Sequence, residues 1–124
     1  MGLDIYFHKT RRQSKELETF RKVNFLVGFF EKRFHQEIYN CNPIAIDLDD
    51  AKALLNACEL VLENHENAPD ILPIREGFFF NDYDGYDEYY FNDVKDVRDF
   101  VKNTLIPEFD NLDDDEYIEF EIWY

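Results

Sequence analysis

The chain has 124 residues, 45% of them hydrophobic and 18% aromatic, and its 13 basic and 28 acidic side chains leave a formal net charge of −15 at pH 7. That length suits one domain, residues 1–124, with a core of its own, and so much ring surface excludes a disordered tail. The acid excess is uneven, since residues 1–40 hold 8 basic and 5 acidic groups while residues 41–124 hold 5 and 23; direct binding to nucleic acid, which draws on clustered Lys and Arg, is therefore not expected, and basic partners are favoured.

Leu3, Ile5 and Phe7 alternate with Asp4, Tyr6 and His8, the period of a half-buried strand. From Ser14 as cap, Leu17, Phe20, Val23, Val27, Phe30 and Phe34 recur at helical spacing, which predicts one long helix up to Phe34. Phe25, Leu26 and Phe29 widen its apolar face, so this helix is either the central one of a monomer or an interface in a homodimer. A second helix starts after Asp47 and carries Leu48, Ala51, Leu54, Leu55, Cys58, Val61 and Leu62 inward, with Pro69 beyond its end. Phe78-Phe79-Phe80 then reads as a buried strand, and Asn92 as the cap of a third helix with Val94, Val97, Phe100, Val101 and Leu105 inward and Pro107 past its end. Residues 86–91 suit either a hairpin strand or the start of that helix. The tail alternates Ile118, Phe120, Ile122 and Tyr124 against Tyr117, Glu119, Glu121 and Trp123, a last strand. The order β-α-α-β-α-β points to an α+β fold, a small, mainly antiparallel sheet packed by about three helices, with the first and last strands at its centre.

Few chemistries find their residues. There is no apolar run for a membrane span, Asp4 interrupts the place of a signal peptide, and Tyr6 stands where a myristoylation motif needs Ser or Thr. Cys41 and Cys58 form no metal-ligand or redox spacing and fit a reducing, cytoplasmic compartment. His8, His35 and His65 are isolated, and no nucleophile elbow, phosphate loop or dinucleotide fingerprint occurs, so neither an enzyme nor a resident cofactor is expected. Asp82-x-Asp84-Gly85 resembles the middle of an EF-hand loop, but Phe80 and Phe91 fall where its first and twelfth ligands belong. Tyrosines among acids remain: Asp82, Tyr83, Asp84, Tyr86, Asp87, Glu88 and Tyr89 form a candidate interaction surface for a basic partner protein.

The opening MGLDIYFHK, the segment FRKVNFLVGFF, the LLNACELVL helix and ILPIREGFFFNDYDGYDEYYFNDVKD together resemble a family of small bacteriophage and prophage proteins. Members open Met-Gly-Leu-Asp-x-Tyr and later carry Gly-Phe-Phe-Phe followed by Tyr-Asp-Glu-Trp-Tyr; this chain departs at Phe20, Val27 and Tyr89, where the family has Trp, often His, and Trp. The resemblance implies a phage context in a bacterial host cell and singles out Asp4, Arg21, Asn24, Gly77, Tyr86, Asp87 and Glu88. Arg21 and Asn24 stand three apart, which in a helix puts them on one side, and with Asp4 they form a candidate polar cluster. The leading expectation is an acidic protein–protein interaction module, an inhibitor or nucleic-acid mimic directed at the basic surface of a host or phage protein. The alternatives are a small-molecule or metal-binding domain with Tyr86, Asp87 and Glu88 near Arg21 and Asn24 around a pocket, and a structural accessory protein of a phage.

Overall fold

Alternation of Leu3, Ile5 and Phe7 with polar neighbours makes β1, Asp4–Thr10, with all three apolar side chains fully buried. In the computed structural model, which describes residues 3–10, 15–21, 23–38, 42–74 and 85–123, β1 lies second in a four-stranded antiparallel sheet whose order is β2 (Lys15–Arg21), β1, β4 (Tyr117–Trp123) and β3 (Ile44–Ile46). The first and last strands are its central pair, as expected. β4, Tyr117–Trp123, buries Ile118, Phe120 and Ile122 and sets Ile122 opposite Ile5 and Phe120 opposite Phe7.

The expected long helix is two elements. Lys15–Arg21 forms β2, antiparallel to β1, and only Asn24–Phe34 forms a helix, α1. The helical spacing of Leu17, Phe20 and Val23 misleads because β2 has a bulge: the partner of Phe7 is Glu18 and that of His8 is Glu16, so Leu17 is an extra residue that breaks the alternation. Residues 15–21 find backbone partners on β1, which would otherwise lack them on that side. In α1, Phe25, Leu26, Val27 and Phe30 are buried in the core, and Asn24 is buried as well.

β3, Ile44–Ile46, was not anticipated; it pairs with β4, Ile46 facing Ile118. Asp47 then caps α2, Leu48–Glu63, in a reciprocal arrangement: the Asp50 N–H donates to Asp47 Oδ1 at 2.8 Å and the Asp47 N–H to Asp50 Oδ2 at 2.9 Å. The buried Asp50 carboxylate also accepts from Arg33 Nε, tying the end of α1 to the start of α2. Pro69 does not close the region. A 3₁₀ turn at His65–Asn67 leads into α3, Ala68–Ile71, whose first turn holds Pro69 where its missing N–H costs nothing.

The next helix, α4, spans Glu88–Phe100 and is capped by Asp87 rather than Asn92: the Tyr90 N–H donates to Asp87 Oδ1 at 2.9 Å. Residues 88–91 are thus its first turn. The helical run does not stop before Pro107; a π-helical turn, Val101–Leu105, carries the chain from α4 into α5, Ile106–Asp110, where Pro107 again takes a first-turn position. The five side chains expected to point inward, from Val94 to Leu105, are all buried. The expected strand at Phe78–Phe80 lies outside the described residues.

Helices and sheet meet around Phe7, whose ring centroid lies 5.1 Å from Phe100, 5.6 Å from Phe120 and 6.3 Å from both Phe20 and Phe30. Truncating a buried Phe loses its transfer energy and leaves a cavity. Phe7→Ala is therefore expected to cost about 3–5 kcal/mol in urea unfolding, against about 1 kcal/mol for Asp47→Ala, which removes only a cap; comparable losses would show that Phe7 is not central.

Candidate functional site

The acidic, tyrosine-rich segment divides by role. Gly85, at φ 76°, sits in the left-handed region that favours glycine and turns the chain into α4. The Tyr86 hydroxyl accepts the Ile74 N–H at 3.2 Å and its ring meets Tyr90 edge-on, centroids 5.0 Å apart. Tyr90, fully buried, donates its hydroxyl to the Leu72 carbonyl at 2.6 Å and packs against Phe25. The two rings pin residues 72–74 to α4, and Asp87 is occupied as the cap. Glu88 and Tyr89 remain outward, Tyr89 with 67% of its surface exposed. Asp82, Tyr83, Asp84 and Gly77 lie outside the described residues.

The expected cluster of Asp4, Arg21 and Asn24 is not a helix side. Arg21 is in β2, directly opposite Asp4 in the β1–β2 register, whereas Asn24 is the first residue of α1 and fully buried. Asp4 instead shares the sheet face turned from the core with Tyr6 and His8, a site that reasoning from motifs missed. The Tyr6 and His8 rings stack at 5.9 Å and 12°, His8 Nε2 stands 3.6 Å from Glu121 Oε1, and with Glu16 they border a hollow of about 220 Å³. The signal was present in the alternation of β1, which assigns Tyr6 and His8 to one face.

A larger groove was also missed, because it depends on β2. It measures about 470 Å³ and runs between β2 and the helical layer, with Glu18, Thr19 and Phe20 on one wall and Asp96, Asp99 and Asn103 on the other. The Phe20 and Phe100 rings, 5.5 Å apart, form its floor. Tyr89, Asn92, Asp96 and Asp99 follow at steps of three and four, so one stripe of α4 leads from its first turn to this groove. Among the described residues no group of three or more His, Cys, Asp or Glu side chains is set to hold a metal ion.

Cys58 and Tyr90 are shifted away from nucleophilic reactivity. Burial pushes the Cys58 thiol from its ordinary 9.0 up to about 12, the positive charge of Arg98 only partly opposing it. Burial likewise raises the Tyr90 hydroxyl, with Tyr86 and Cys58 adding to the effect. Both groups are held neutral in the fold, so their stabilising contribution is complete below the unfolded-chain values and is lost as pH rises through the folded ones. Stability in urea should accordingly fall from about pH 9 towards about pH 12, and Cys58→Ala should make that fall shallower. An unchanged slope would remove Cys58 from the account.

The chain matches no protein-family model, no curated protein and no solved structure.

Proposed function

We propose that this protein is an acidic protein–protein interaction module of a bacteriophage or prophage that covers a basic surface of a bacterial host protein, setting carboxylates where that surface takes phosphates. The observation that carries this reading is the outward stripe of α4. Tyr89 is 67% exposed beside an exposed Glu88 and is followed by the exposed Asn92 and Asp96. On the opposite side of the same helix Tyr90, Val94, Val97 and Phe100 are buried. An exposed tyrosine offers a large rigid contact at low entropy cost, and carboxylates around it steer a basic partner and reject an acidic one. The net charge of −15 extends that steering beyond the contact itself. The phage context follows from the resemblance of the opening and of the segment around Tyr86-Asp87-Glu88 to phage and prophage proteins.

Capture from a bacterial lysate with identification by mass spectrometry would supply the partner, and its affinity would then be measured with purified components. Binding should weaken at least tenfold as ionic strength rises from about 0.01 M to about 0.15 M, where the Debye length shrinks from about 30 Å to about 8 Å. Tyr89→Ala should accelerate dissociation, and Glu88→Gln with Asp96→Asn should slow association. Affinity indifferent to salt and to all three substitutions would refute the reading.

A further inference from the structure

The outer edge of β2 carries backbone groups of the kind a further strand would use. Among the described residues β2 pairs on one side only, with β1. The Thr19 N–H is not spent on that pairing: it donates to Oε1 of its neighbour Glu18 at 2.9 Å. In an antiparallel ladder alternate residues turn both N–H and C=O to the same side, so the Thr19 carbonyl also faces outward. A side chain has thus taken the place that a strand's carbonyl would fill. Along this edge lies the groove with Phe20 and Phe100 as floor and Asp96 and Asp99 on the far wall. Asp99 accepts from its neighbour Arg98 at 2.9 Å; Asp96 is exposed and stands on the outward stripe of α4.

We propose that an extended, basic segment of the partner adds to β2 as a further strand, with alternate Lys or Arg side chains laid into this groove. The proposal rests on the reading of the chain as an acidic interaction module and names its contact. A partner carbonyl takes the Thr19 N–H, which releases the Glu18 carboxylate to face a cation. Glu18 and Phe20 stand opposite Phe7 and Ile5, on the core side of the sheet. Every second side chain of an added strand therefore turns towards α4. A lysine there lays its apolar stem over Phe20 and Phe100 and brings its ammonium to Asp96 and the Asp99 rim. Backbone bonds supply affinity in such an addition and side-chain pockets supply selection. Charge also excludes the obvious competitor, a second copy of this chain: edge-to-edge pairing would bring Glu16 and Glu18 of two molecules together, each molecule carrying −15.

The test is an amide NMR titration of the isotope-labelled protein with a capped peptide of alternating Lys and Thr, and with its Glu-Thr counterpart. The Lys-Thr peptide should shift the amides of residues 16–20 and 96–104 and slow exchange of the Thr19 amide, while the Glu-Thr peptide leaves them unmoved. Thr19→Pro, which removes the outward N–H, and Asp96→Lys should each weaken binding about tenfold or more. Asp96 is exposed, so this second variant retains the fold and its far-UV spectrum even where Thr19→Pro does not. Binding of the Lys-Thr peptide at Glu88 and Tyr89 with residues 16–20 silent overturns the strand addition and leaves the acidic module standing. Binding of neither peptide overturns both.

Discussion

Phe7 is where the structure is joined. Its ring touches one ring each from β2, α1, α4 and β4, so the sheet and two helices share a single contact that no one of them could form alone. A second aromatic centre forms around Tyr90, which meets Phe25, Tyr86 and Phe91 and fixes Leu72 through its hydroxyl. Phe100 belongs to the first centre and Tyr90 to the second, and both lie on α4. Ten residues of helix span about 15 Å, so α4 is held near both ends and cannot roll. That fixed rotation, rather than anything local to the acidic residues, turns Tyr89, Asn92 and Asp96 outward.

The surplus of acid shapes what the few cations do. Lys9, at the end of β1, stands 3.2 Å from Glu108 of α5 and 3.9 Å from Glu116 ahead of β4, joining three parts of the chain with one ammonium. Arg33 is spent on the buried Asp50 at the start of α2. A buried carboxylate without such a partner would cost far more than an exposed one, and most other acids of the helical layer are exposed or half-exposed. Self-repulsion is thereby kept at the surface, where solvent and salt weaken it.

Strands whose apolar residues alternate without interruption, β1 and β4, were legible in the sequence, as was α2, where the Asp47 cap and the 3.6-residue pattern agree. β2 was not, because one bulged residue, Leu17, converts its alternation into apparent helical spacing. β3 is three residues long and follows Pro43, too short to carry a period. Pro69 does lie beyond the end of α2, but it also opens the short α3, and Pro107 stands inside a helical run rather than past its end, in a first-turn position as natural for proline as the residue beyond a helix. Of the expected surface, Glu88 and Tyr89 stand outward, but Tyr86 and Asp87 are occupied in holding the start of α4, a distinction that composition cannot make. The groove beside β2 is invisible in the sequence, since a helix over residues 15–21 leaves one of its two walls in the wrong element.

The place of β4 in the sheet has a consequence for how the chain is made. Residues 117–123 lie between β1 and β3, and the partner of Asp4 across that seam is Trp123. During synthesis the β1–β2 hairpin can form early, yet the other edge of β1 and the Phe120 side of the Phe7 ring stay uncovered until residues 117–123 have been made. Closing the sheet means joining segments more than a hundred residues apart, a loop closure that slows folding and prolongs the exposure of that edge. The nascent protein therefore exposes to misassociation a strand that, once folded, is covered along both edges.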